Sequence, residues 1–220
     1  MNKFKLIIII CMLLAIISVS KVYAIVNSYT LLGKTIYIDP GHGGKDSGAI
    51  YKNIYEKDVN LTMSKKIEKY LTSKGATVYL TRETDKDLST TTVNRKRNDL
   101  TNRAILINKS NADMYISIHL NSISSNKWQG LQIFYNSRNK ENEQIATNLT
   151  SYLKEKTSNI REPKKINTYY MYKQITIPGV LIELGFLSNQ NDRYRLTREE
   201  YQDILAQNIS DSIENYYLTN

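Results

Sequence analysis

Short β-branched and aromatic runs alternate with segments of helical period along most of the chain, and this alternation constrains the fold more than any other feature. Residues 35–39 form such a run, closing on Pro40-Gly41, and read as a strand entering a loop. Residues 56–73 place Val59, Met63, Ile67 and Tyr70/Leu71 at helical spacing, with Gly75 just past the end. A strand over 76–81 and a helix over 93–109 follow, then strands over 113–119 and 132–135. Residues 141–156 put Ile145, Leu149, Tyr152 and Leu153 on one helical face. Residues 180–184 form an apolar strand of the fully buried type, and 199–216 carry a stripe of Tyr201, Leu205, Ile209, Ile213 and Tyr216. Strands alternating with helices predict a single α/β domain with a mostly parallel central sheet flanked by helices. No tandem repeat, flexible linker or second composition zone interrupts the pattern.

The N-terminal segment has a different character. Lys3 and Lys5 lead into an apolar run of 14 residues, 6–19, and Val22-Tyr23-Ala24 places small residues at the positions a signal peptidase reads. A membrane span needs about 20 residues. The layout therefore predicts a signal peptide over residues 1–24, with an uncleaved anchor as the alternative. Cys11 follows Ile10 rather than a small residue, which argues against a lipidated cysteine. Residues 25–220 then make the functional domain, and they contain no cysteine, which excludes both a disulfide and a thiolate metal site there. The leader holds three lysines and no acid, so the net charge of +9 falls to +6 once it is removed. A basic exported domain suits an acidic wall polymer. Export leaves no role for nucleic acid, and any membrane contact falls to the N-terminal segment.

In sheets of this kind the active site gathers at the carboxyl ends of the strands. Three polar segments sit there: Asp39-Pro40-Gly41-His42, His119-Leu120-Asn121, and Glu183. The chain has two histidines, His42 and His119. Together with Glu56, at the start of the first long helix, they would supply the two imidazoles and one carboxylate of a catalytic zinc site that keeps a fourth position for water. Glu183 would be the base that takes the water's proton. Each residue also has a plainer reading. His119 could be a hydrogen-bonded structural histidine, Glu56 a first-turn carboxylate favoured by the helix dipole, and the glycine-rich loop an anion nest. The loop is not a P-loop, because Asp46 follows Lys45 and Asp39 stands where the first glycine would be. A His-Glu-x-x-His helix is absent. Glu183 resists the plain reading most, since a carboxylate on an apolar strand is costly to bury unpaired.

Four motifs in order resemble those of zinc-dependent N-acetylmuramoyl-L-alanine amidases: Ile38-Asp39-Pro40-Gly41-His42-Gly43-Gly44, Glu56-Lys57 with Asn60-Leu61, Ser117-Ile118-His119-Leu120-Asn121, and Glu183-Leu184-Gly185-Phe186-Leu187-Ser188-Asn189. The segment 100–111 with Arg103 is similar to the helix before the family's second histidine. The likeness spans residues 34–217. It implies that His42, Glu56 and His119 hold Zn2+ and that Glu183 is the catalytic glutamate. It also implies hydrolysis of the amide between N-acetylmuramic acid and L-alanine in peptidoglycan. The compact, tail-less form is most similar to CwlD-type sporulation amidases, which act on spore cortex so that muramic-δ-lactam can form. This makes the cell wall or spore envelope the expected location. With no wall-binding repeat, an accessory envelope protein is the expected source of docking. The alternatives are a non-catalytic peptidoglycan-binding module, or another zinc wall hydrolase such as a carboxypeptidase or deacetylase.

The N-terminal layout makes a direct prediction. N-terminal sequencing of the exported protein should begin at or near Ile25, and a retained Met1 would contradict cleavage.

Overall fold

The computed structural model describes residues 11, 12, 14–17 and 29–220; the expected leader boundary at Ala24 lies outside the described residues. Five strands carry most of a six-stranded sheet. They are β1 (Thr35–Pro40), β4 (Thr77–Leu80), β5 (Met114–Asn121), β6 (Gln132–Tyr135) and β8 (Gly179–Phe186). The two-residue β7 (Lys164–Lys165) closes one edge, giving the order β4-β1-β5-β8-β6-β7. All neighbours run parallel except β6 and β8, which are antiparallel. The α/β architecture with a mostly parallel sheet is as the alternation predicts.

Burial follows from position in the sheet. All eight residues of β8 are buried, as is nearly all of β1 and β5, because helices cover both faces of a parallel sheet. Edge strand β4 instead alternates exposed with half-buried residues. On one face lie α1 (Glu56–Ser73), α3 (Glu141–Lys156) and α5 (Glu199–Thr219), whose apolar stripes join Ile36, Ile38, Ile116, Ile118 and Ile182 in the larger core. On the other face, α2 (Arg95–Lys109) and the 3-10 turn Tyr172–Gln174 pack on Tyr37, Tyr115, Phe134 and Leu181. The first helix ends at Gly75, whose φ of 93° suits a glycine.

The structure adds pieces with no periodic signal. A small hairpin joins β2 (Ile50–Tyr51) to β3 (Ile54–Tyr55) just ahead of α1. Its strands have two residues each, too short for any alternation to be read. The helix α4 (Gln190–Leu196) spans only two turns and begins where the Asn189 side chain accepts from the backbone of Asn191 and Asp192. The second helix starts two residues later than its apolar pattern suggests, since Asn94 adopts a left-handed φ of 51°.

The sheet carries one buried charge cluster. Asp39, in β1, is paired with Arg103 of α2 at 2.7 Å, and Arg103 Nε also donates to Asp99 at 2.8 Å. Asp39 and Arg103 are each 1% exposed. Burial works against the Asp39 carboxylate, but Arg103 and the hydroxyls of Thr81 and Ser117 outweigh it and hold its pKa below the usual carboxylate range. Removing one partner of such a pair strands the other, at a cost of about 3–5 kcal/mol. Arg103→Met should therefore lose stability on that scale in urea denaturation, and a loss under about 1 kcal/mol would contradict the account. The Asp39 share of stability is present above about pH 4 and disappears as pH falls through the lowered folded value.

Candidate metal centre

Beyond Pro40 the chain turns sharply, with φ of 62°, 134° and 56° at His42, Gly43 and Gly44. A left-handed conformation costs a residue with a side chain about 1–2 kcal/mol, so the surroundings must hold His42 in place. Two buried arginines do so through the loop carbonyls. Arg103 Nη1 and Arg82 Nε donate to Pro40 O at 2.8 and 3.0 Å, and Arg103 Nη2 donates to His42 O at 2.6 Å. Arg82 Nη2 and Asn60 Nδ2 share Gly41 O at 3.0 and 3.2 Å.

Glu56 opens α1 and is anchored from both sides. Its backbone N–H donates to Ala49 O at 2.9 Å, and Ala49 N–H donates back to Glu56 Oε2 at 2.8 Å. Its other oxygen faces both histidines, with Oε1 3.1 Å from His42 Nε2 and 3.0 Å from His119 Nδ1. His119 lies late in β5, directly beside Glu183 in the register of β5 with β8. The two imidazoles meet edge to face with centroids 4.9 Å apart. His119 lies so close to Gly41 that a β-carbon there would fall 2.2 Å from its Cε1 atom. Gly41 is thus required by the imidazole and not by its own backbone angles.

All three expected ligand residues come together, with their ligand atoms within 4.8 Å of one another. Ligands at zinc-like bond lengths of about 2.1 Å in a tetrahedron stand about 3.4 Å apart, so the 3.0–3.1 Å contacts need only slight opening to admit an ion. The residues therefore fit a divalent metal. Behind the cluster, His42 Nδ1 is 2.9 Å from Asp46, so a carboxylate fixes the ring with Nε2 facing inward. Burial opposes the His42 imidazolium, but the hydrogen bonds to Asp46 and Glu56 raise its pKa to about 9. Burial likewise opposes the Glu56 carboxylate, yet the two imidazoles drive its pKa far below the usual range.

Glu183 has the opposite environment. It is 8% exposed, its Oε2 atom has no hydrogen-bond partner, and desolvation followed by the charge of Glu56 raises its pKa to about 8. An orphaned carboxylate oxygen beside three atoms that could hold a metal marks a place where a ligand is expected. All four residues line one cavity of 420 Å³, which Leu100 and Tyr169 also line. Asp46 and Arg82 escaped the sequence reading. Arg82 sits just past a strand, at the same carboxyl edge as the other site residues, which could have flagged it. Asp46 has only its place four residues after His42 in a loop.

Comparison with known proteins gives the family of the chain. The family model described as N-acetylmuramoyl-L-alanine amidase matches residues 36–215. A germination-specific N-acetylmuramoyl-L-alanine amidase of Bacillus subtilis is 44% identical over 195 residues, covering 86% of this chain and 82% of that protein. The CwlD amidase of Clostridioides difficile, solved in complex with the GerS lipoprotein, superposes with a TM-score of 0.81 at 38% identity, covering 86% of this chain and 100% of that one. The catalytic domain of the amidase CwlV from Bacillus (Paenibacillus) polymyxa var. colistinus gives 0.74 at 30% identity, covering 85% of this chain and 99% of that one.

Substituting Gly41→Ala tests the packing of the site. Circular dichroism should show the fold retained, while amide hydrolysis falls at least tenfold, about 1.4 kcal/mol of barrier, because His119 is displaced. Hydrolysis at the wild-type rate would contradict the geometry.

Proposed function

This chain belongs to the N-acetylmuramoyl-L-alanine amidase family and is an enzyme acting on peptidoglycan; from that premise we propose that it is a zinc amidase of the spore envelope. In this reading His42, Glu56 and His119 hold the zinc ion and Glu183 is the general base. The observation that carries it is the convergence of the three ligand atoms beside the unpaired, buried carboxylate of Glu183.

Zinc held there would polarise the scissile carbonyl and bring the pKa of a water towards neutrality. The chain's own residues do the rest. Asp46 keeps the His42 ring turned so that Nε2 faces Glu56, where the ion would be held. Glu183, whose carboxylate form a bound cation would favour, accepts the proton of the water as it attacks the lactyl carbonyl. It then returns that proton to the alanine nitrogen as the C–N bond breaks, so that a carboxylic acid and a free amine leave. Burial keeps bulk water from competing with Glu183 for the proton.

The retention of all four groups speaks against a non-catalytic wall-binding module. The germination-specific relative supports a role in spore cortex, where stem-peptide removal would precede muramic-δ-lactam formation. Export of the domain by its N-terminal segment is part of the same proposal. A relative solved with a lipoprotein supports an accessory envelope protein for this chain too.

Two substitutions separate the proposed roles. Glu56→Ala removes one of three protein ligands, and elemental analysis should find the metal lost along with activity. Glu183→Gln keeps all three, so metal should remain while hydrolysis falls roughly a hundred- to ten-thousand-fold. Metal loss in the glutamine variant with retention in the alanine variant would exchange the two roles.

A further inference from the structure

A second cavity of 430 Å³ opens beside the catalytic cleft, lined by Tyr51, Asn126, Ser188, Asn189, Asn191 and Arg193 among others. It is separate from the metal cluster but close to it along the chain. Ala49 lines the catalytic cleft and Tyr51 lines the second cavity, and two residues span at most about 7 Å. On the other wall Ser122 belongs to the first cavity and Asn126 to the second, four residues apart and so within about 14 Å. Both walls are short extensions of the elements that carry Glu56 and His119. The loop 122–128 is tied to the end of β8 by Asn189 Nδ2 donating to Asn126 O at 2.7 Å.

The lining has a definite chemistry. Asn126, Gln190 and Asn191 offer neutral donors and acceptors, suited to hydroxyl and acetamido groups, beside the cations Lys127 and Arg193, while the Asn189 amide is engaged by Asn126 O and by the backbone of Asn191 and Asp192. One aromatic ring, that of Tyr51, lines the cavity, and a second, Trp128, follows the lining residue Lys127 in the chain. Tyr51 is 37% exposed and has the Arg193 guanidinium 3.5 Å from its ring centroid. Trp128, the chain's single tryptophan, directly follows two lining residues and is 49% exposed, with Arg161 at 4.4 Å over its ring. Arg161 is fixed in turn by Gln132 and lies over Phe186. Here each ring is backed by an arginine, so it is held in one orientation with surface to spare. Fixed aromatic faces next to neutral amides match a sugar, which has apolar C–H faces and a rim of hydroxyls.

We propose that this cavity, lined by Tyr51 and flanked in the chain by Trp128, is a subsite for the N-acetylated glycan strand, holding sugars next to the muramic acid whose stem is cut. The proposal depends on the amidase reading for the identity of the polymer, but not on the metal or on Glu183. It assigns to the catalytic domain a grip on the polysaccharide that the cleaved amide alone cannot provide.

The single tryptophan makes the test direct. A peptide-free tetrasaccharide of alternating N-acetylglucosamine and N-acetylmuramic acid is titrated into the full chain while its fluorescence is followed. The expected result is a saturable change in emission that Tyr51→Ala weakens about tenfold. Hydrolysis gives the second readout. Trp128→Ala and Tyr51→Ala should each raise KM for polymeric wall about tenfold, with kcat on a minimal muramoyl-peptide unchanged and Trp128→Phe restoring the polymer KM. Failure of the wild type to cut the minimal substrate would instead count against the amidase reading. An emission that does not respond to the tetrasaccharide, or variants with wild-type KM on polymer, would overturn the subsite.

Discussion

The buried arginine clamp on the loop after β1 is the constraint on which the site depends. Arg103 and Arg82, each 1% exposed, hold the carbonyls of Pro40, Gly41 and His42, and Arg103 is itself paired with Asp39 and Asp99. Without these donors the left-handed His42 would have no reason to stay in its conformation, and its ring would not meet Glu56. A buried ion pair adds little net stability compared with apolar packing. Its use here is positional: it converts the rigidity of the sheet and of α2 into a fixed place for one imidazole.

From that fixed point the structure sorts two carboxylates into opposite states. Glu56 lies between two imidazoles and is held ionised, whereas Glu183 is buried beside the charge of Glu56 and pushed towards neutrality. Environments that drive two acids apart in this way are how one site obtains both a permanently charged ligand and a proton carrier. The proposed division of labour between Glu56 and Glu183 rests on this contrast, which comes from the backbone: one residue opens a helix and the other sits mid-strand.

Much of this was legible in the sequence, for identifiable reasons. The strands and long helices are readable because burial on one or both faces imposes a strict apolar period, as in 56–73 and 180–184. His42, His119 and Glu183 could be singled out because polar groups at the ends of buried strands are costly unless used. What stayed hidden depends on contacts across the fold. Asp46 finds His42 only through a loop whose turns are set by three consecutive residues of positive φ. Arg82 could not be assigned its partners, since all of them are backbone carbonyls, which have no sequence signature. The β2–β3 hairpin and α4, which shape the second cavity, are too short for periodicity to reveal.

The central claim is that a metal held by two histidines and a glutamate cuts the muramoyl–alanine bond. The most direct measurement is digestion of purified peptidoglycan with the metal-loaded protein, followed by mass analysis of what is released, with and without a chelator. The account predicts intact stem peptides bearing a free alanine amine, none after chelation, and recovery of release when zinc is added back. Release that continues undiminished in the chelated protein, or products cut within the stem peptide or the sugar, would contradict it.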